Sequence, residues 1–195
     1  MSAAAPKRNR RPDPMRHASA RPPVTTARPE LTADGTGERF RQLVSDLLTI
    51  AVRMDAVRAR FAGLMGVTPP QYTILVTVAQ LEGALGGATV RAVADHMHVS
   101  GAFVTAETGK LAAKGFIAKR PNPSDGRSVL ITLTPKGRKA LDTALPHIRA
   151  VNDVFFGKLD ADEFERLAAA AARIVEASPA AVLLAHALSA GARKT

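Results

Sequence analysis

The chain has 195 residues, with 27 Lys and Arg against 17 Asp and Glu for a formal charge of +10, and it contains no cysteine. This length suits one substantial core with a helical appendage, and the missing thiols exclude disulfides, zinc ribbons, thiol catalysis and cysteine redox sensing. No apolar run is read as reaching the roughly 20 residues that span a bilayer, and the start lacks the apolar stretch of a secretory signal. The chain is therefore expected in the cytoplasm with no membrane partner.

Residues 1–37 carry 7 basic and 3 acidic side chains and six prolines without apolar periodicity, so they are expected to form a disordered basic tail. Pro12, Pro14, Pro22 and Pro23 also prevent the amphipathic helix of a mitochondrial presequence. From Glu38 to about Leu64, Phe40, Leu43, Leu47, Ile50, Met54, Val57 and Phe61 recur every three or four positions and predict a long amphipathic helix. Thr68-Pro69-Pro70-Gln71 pairs a capping threonine with prolines where the missing N–H costs nothing and a glutamine three residues after the cap. A second helix should start there and run to about Leu81, ended by Gly83, Gly86 and Gly87.

Thr89 to Met97 reads as a short helix, and His98-Val99 as a turn. Ser100 is a good cap for a helix from Gly101 to Lys114, which Gly115 terminates. Two short helices joined by a tight turn make a helix-turn-helix candidate. Phe116 to Arg120 and Val129 to Leu133 read as strands around the turn-rich Pro121-Asn122-Pro123-Ser124-Asp125-Gly126, a β-hairpin. Thr134-Pro135 opens a long helix that Pro146 should kink or break. Asp160 and Glu163 open the last, whose Phe164, Leu167, Ala168, Ala171, Ile174 and Val175 share a stripe. Ala180 to Ala190 is apolar enough to extend it beyond Pro179, to pack or to fray.

The fold class is thus mainly α with a small β-hairpin: a winged helix-turn-helix flanked by N- and C-terminal helices. The chain also resembles the multiple-antibiotic-resistance regulator (MarR) family. Val67 to Tyr72, Leu111 to Ile117, and Asp125-Gly126-Arg127 followed by Leu133-Thr134-Pro135-Lys136-Gly137 carry the resemblance, which spans roughly residues 38–176. It implies a two-fold dimer with interlocking terminal helices, reading a pseudo-palindrome. Accordingly, 38–66 is expected to be a dimerisation helix, 67–137 the DNA-binding domain, and 138–195 further dimerisation helices. The surplus of apolar residues on the first and last helices argues for the same self-association.

Residues 85–139 hold 9 basic against 3 acidic side chains, a pattern that suits phosphate binding and also fits ordinary solubilising charge. In the helix 101–114, Val104, Thr108 and Leu111 should face the core. The opposite side, Ala102, Thr105, Ala106, Gly109 and Lys110, with Ser100 and Gly101 at the N-terminus, should face double-stranded DNA in the major groove. Phe103 lies at the border, where packing and a thymine-methyl contact both fit. Relatives commonly carry a larger residue, often arginine, at Ala106 and an apolar one at Glu107, so this face is expected to read shape as well as base edges.

By resemblance, Arg127 is the minor-groove arginine. Asp125 is placed to accept its hydrogen bonds, and Lys119 and Arg120 would bind phosphates. The resemblance also implies release by a small, often aromatic or phenolic anion, for which Arg53 and Tyr72 are the candidate contacts.

No catalytic constellation is found, and no cofactor or metal is implied. Gly109-Lys110 lacks the first glycine of a phosphate loop, which would fall at Val104, and its hydroxyl residue, which would fall at Leu111. No nucleophile elbow is present, and His96 and His98 have no further metal-ligating residues close by. The expected function is a sequence-specific transcriptional regulator, a repressor acting as a homodimer on nucleoid DNA. The competing reading is an architectural, nonspecific DNA-binding protein that relies on its basic tail.

Overall fold

The computed structural model describes residues 22–83 and 86–191. Its compact units divide between Met54 and Asp55, so each is taken separately.

In the first unit, Pro29–Leu31 forms a 3-10 turn, and helix α1 (Glu38–Leu64) begins. The Asp34 carboxylate accepts from the backbone N–H of Thr36 (3.0 Å), Gly37 (2.7 Å) and Arg39 (3.1 Å). These three donors hold it well below the usual carboxylate range. Arg41 donates to the Pro23 and Thr36 carbonyls. Residues 22–37 form a locally hydrogen-bonded lead-in to α1. Residues 1–21 lie outside the described residues.

The second unit begins with the last turns of α1 and continues with α2 (Pro69–Leu81), β1 (Ala88–Thr89), α3 (Val90–Met97), α4 (Gly101–Ala113), β2 (Ile117–Asn122), β3 (Asp125–Leu133), α5 (Pro135–Phe156) and α6 (Ala161–Gly191). The expected capping box opens α2: Thr68 Oγ1 accepts from Gln71 N, and Gln71 Oε1 accepts from Thr68 N. Ile74, Leu75 and Val78 of α2 are fully buried, as are Val93 of α3, Val104 and Leu111 of α4, and Ile131 of β3. Phe61 and Ala62 of α1 join this core. The small domain is thus built around α2, with the DNA-facing helix candidate laid across it.

The sheet has three antiparallel strands in the order β1-β3-β2, with Ala88 opposite Ile131 and Ile117 opposite Leu133. The expected hairpin is present, with strands longer than anticipated and a third strand added. Gly87 permits that addition, because a Cβ there would lie 2.8 Å from Thr132 Cγ2 and 2.9 Å from the Ile131 carbonyl oxygen. Glu82, at the C-terminus of α2, fastens the sheet to α5. One carboxylate oxygen accepts from Leu133 N (3.2 Å) and the other from Arg138 Nη2 (2.5 Å). Glu82→Ala removes both bonds and should lower stability by about 2 kcal/mol. A urea midpoint equal to that of the wild type would disprove this latch.

The long helices run through their prolines: Pro146 does not break α5, and α6 continues past Pro179 as its apolar sequence suggested. Pro146 is exposed, so water can take the carbonyl bond it vacates. Alanine-rich α6 is also long and apolar enough to cross a membrane by length and composition, contrary to the first reading. Arg173 and Glu176 lie within this helix. None of its residues is buried, and Phe164, Leu167, Ile174, Val175 and Leu183 stand open to solvent.

Candidate nucleic-acid interface

Ser100 caps α4 through its Oγ, which accepts from Phe103 N at 3.2 Å. Val104, Thr108 and Leu111 are completely buried, and Gly101, Ala102, Thr105, Ala106, Gly109 and Lys110 are exposed. The two faces of the helix are therefore those expected. Their chemistry differs in two places. The Thr105 hydroxyl donates to the Gly101 carbonyl (2.9 Å), which commits its proton to the helix. The Lys110 ammonium lies 2.5 Å from Glu107 Oε1. Phe103 is 37 % exposed, and its ring borders a cleft with Pro69, Pro70, Met97 and Val99.

The turn between α3 and α4 is closed by His98 in the left-handed region (φ 53°), a position where glycine or asparagine would have been the readable signal. Among the described residues no group of three or more His, Cys, Asp or Glu is placed to hold a metal ion.

The hairpin turns through Pro123 and Ser124. Buried Asn122 braces it, donating from Nδ2 to Ser128 Oγ (2.9 Å) and accepting from Ser124 N (3.0 Å). Pro121 lies opposite Val129 and Asn122 opposite Asp125, so Gly126, Arg127 and Ser128 are extra residues on β3. This bulge projects Arg127 from the wing. Asp125 acts differently from expectation: its Oδ1 accepts from the Arg127 backbone N–H (3.0 Å). It shapes the bulge, and the Arg127 guanidinium has no ion pair among the described residues. Lys119 and Arg120 are exposed on β2.

A groove of about 540 Å³ lies between the start of α4 and the wing. It brings Gly101 and Thr105 of α4 together with Asp125 and Arg127 of the wing, and adds Arg91 of α3. Gly109, Lys110, Lys119 and Arg120 lie outside its lining. Arg91 went unread in the sequence because a single basic residue on a short helix carries no local signal. It is exposed and loosely paired with Asp95 at 3.6 Å.

The two effector candidates belong to different units. Arg53 lines a shallow depression of the first unit with Ser45, Leu48, Thr49 and Val52. Tyr72 is a core residue of the second unit, 7 % exposed and 6.1 Å from the Phe61 ring centroid. Burial raises its phenol pKa, partly offset by Arg58. Its role as a cleft wall is corrected accordingly. A roomier space, about 730 Å³, is lined by Asp55, Arg58, Thr73, Gln80 and His96 beside Pro69, Pro70, Met97 and Phe103. Arg58 is held there by Asp55 (3.2 Å) and by the Thr73 hydroxyl oxygen.

Comparison with known proteins agrees with this geometry. Residues 65–128, the core helix through the wing, match the family model described as MarR family. That segment, about a third of the chain, is similar to the MarR family, and the winged-helix fold is shared. It is similar to the transcriptional regulator HosA of Escherichia coli O111:H-, 29% identical over 103 residues, which cover 52% of this chain and 73% of HosA. Among solved structures it resembles AbsC, a MarR-family regulator from Streptomyces coelicolor, with a TM-score of 0.63 and 18% identity over 73% of this chain and 96% of that one. It also resembles Bordetella bronchiseptica BpsR, with a TM-score of 0.55 and 22% identity over 69% of this chain and 98% of the other. At these identities the structural matches establish the shared fold. HosA and AbsC are both described as transcriptional regulators.

Proposed function

We propose that this protein is a MarR-family homodimeric repressor that binds a pseudo-palindromic operator in the cytoplasm, on nucleoid DNA. The observation that carries this reading is the groove between the start of α4 and the wing, with Arg91 and Arg127 on its walls. In this reading α4 enters the major groove through Ala102, Thr105, Ala106 and Gly109, and Arg127 enters the adjacent minor groove. Phosphates meet the Ser100-Gly101 helix start, Lys119 and Arg120. Small side chains at 102, 106 and 109 favour close backbone approach, so DNA shape contributes to selectivity. Repression needs only that the bound dimer occupy the promoter.

Arg127→Ala should weaken operator binding by about 10- to 100-fold and make the salt dependence shallower by about 2 in log–log slope, one contact per arm. Fluorescence anisotropy with operator DNA across a salt series measures both, and an unaltered slope would remove Arg127 from the DNA. An architectural role predicts comparable affinity for operator and mixed-sequence DNA, whereas a regulator prefers its site by at least about 1,000-fold.

BpsR is named for regulation of its DNA binding by 6-hydroxynicotinic acid. A small aromatic anion is the corresponding effector class proposed here. The cleft beside Arg58 and His96 suits it better than Arg53 and Tyr72, since it combines a guanidinium with apolar walls that include Phe103 of α4. Such a ligand would act by favouring one setting of α4 over another.

A further inference from the structure

Glu107 is an acid on a helix that otherwise suits phosphates, and its surroundings give it a task. Gln71 is 2 % exposed and already serves the α2 capping box. Its Nε2 donates to Glu107 Oε2 at 3.0 Å, while its Oε1 accepts from Lys114 Nζ at 3.3 Å. Lys114 Nζ also donates to the Gly66 carbonyl at 3.1 Å, so this ammonium is spent on the protein's own backbone. The second Glu107 oxygen accepts from Lys110 Nζ. Glu107 is thereby fixed to α2 on one side and holds the Lys110 ammonium on the other, with side-chain exposures of 12 % and 62 % for the two partners. The bonds from Lys110 and Gln71 also keep the carboxyl ionised below its ordinary range.

We propose that Glu107 is a specificity-determining residue, which withholds Lys110 from DNA phosphates and so suppresses sequence-independent binding by the reading helix. This rests on α4 being the element that meets DNA. A Lys110 ammonium held in a pair releases few counterions on binding, whereas a free one adds about 0.9 to the magnitude of the salt slope for each phosphate neutralised. The energy of the pair itself is small at an exposed site, but its effect on DNA is selective. Phosphate attraction is common to all sequences, so muting it lowers background binding and leaves contacts to base edges in place.

The test uses the full chain and a mixed-sequence duplex of about 30 base pairs, which samples the phosphate-driven mode alone. Glu107→Gln keeps the shape of the side chain and removes its charge. Its salt slope should be steeper than wild type by about 0.9 per engaged protomer, which makes binding about three- to fourfold more sensitive to a change from 0.2 to 0.05 M salt. Lys110→Ala should leave the wild-type slope unchanged, yet cancel the whole increment when combined with Glu107→Gln. That dependence on Lys110 separates the proposal from a merely structural role, which would lower thermal stability without it. Equal slopes for Glu107→Gln and wild type overturn the proposal while leaving α4 on DNA. A flattened slope in Lys110→Ala alone also overturns it, because Lys110 would then already contact phosphate. Wild-type binding that ignores salt would overturn both this proposal and the DNA-facing role of α4.

Discussion

Replacing Leu167 and Ile174 by glutamate should convert the protein to monomers at micromolar concentration and lower operator affinity by at least about 100-fold. Helix α6 has 31 residues, about 46 Å of rise, and none of them is buried. Leu167 and Ile174 are each about half exposed, with Phe164 and Val175 on the same stripe. Each such side chain gains about 1.5–3 kcal/mol when fully buried, and a two-fold interface counts every position twice. Four buried carboxylates in place of four apolar groups would reverse that gain and add a desolvation cost. Loss of the dimer makes each reading head bind alone, without the raised effective concentration of its twin. Sedimentation velocity and operator titration on the same variant read the two effects. Dimers that survive the substitution would move the interface elsewhere. Partition of α6 into lipid vesicles with no self-association would make the membrane-length helix the better description.

The parts of the fold that were legible in the sequence are those with local causes. Thr68-Pro69-Pro70-Gln71 announces α2 because cap, missing donor and returning amide all act within four residues. Val104, Thr108 and Leu111 separate the faces of α4 through helical spacing alone. What was missed depends on partners far along the chain. The two-residue strand Ala88–Thr89 exists because β3 offers it hydrogen bonds 42 residues or so later, a separation no local pattern encodes. Glu107 departs from the apolar residue that resemblance suggested, and Gln71, 36 residues away, is the reason it is tolerated. The wing differs more subtly: Asp125 and Arg127 were paired by sequence, yet the bond runs to the backbone N–H and fixes the bulge. Tyr72, given a ligand role by resemblance, is instead found packed beside Phe61 in the core.

Gly137→Ala should destabilise the winged-helix unit by about 3 kcal/mol, at the upper end of ordinary overpacking. Gly137 sits at the third position of α5, where its N–H donates to Thr134 Oγ1 at 3.1 Å. Thr134 in turn donates its hydroxyl to the Gly115 carbonyl at 2.7 Å, and its backbone N–H bonds the Phe116 carbonyl at 3.0 Å. The start of α5 is therefore pressed against the end of α4 and the start of β2. A Cβ at 137 would collide with the Phe116 carbonyl oxygen, which is backbone and cannot swing aside. This close approach, and no unusual backbone angle, explains the glycine in Leu133-Thr134-Pro135-Lys136-Gly137. Thermal unfolding should fall by about 10 °C for a domain of this size. Gly109→Ala provides the contrast. Nothing lies within 4 Å of its added Cβ, so helix propensity should raise stability by about 0.5–1 kcal/mol. If α4 reads DNA by close backbone approach, the same stabilised variant should bind its operator more weakly, because the new methyl group meets the base edges. A Gly109→Ala protein that is both more stable and equally tight on DNA would place position 109 off the interface. A Gly137→Ala protein that unfolds at the wild-type temperature would mean the α5 start can shift away from Phe116 at little cost.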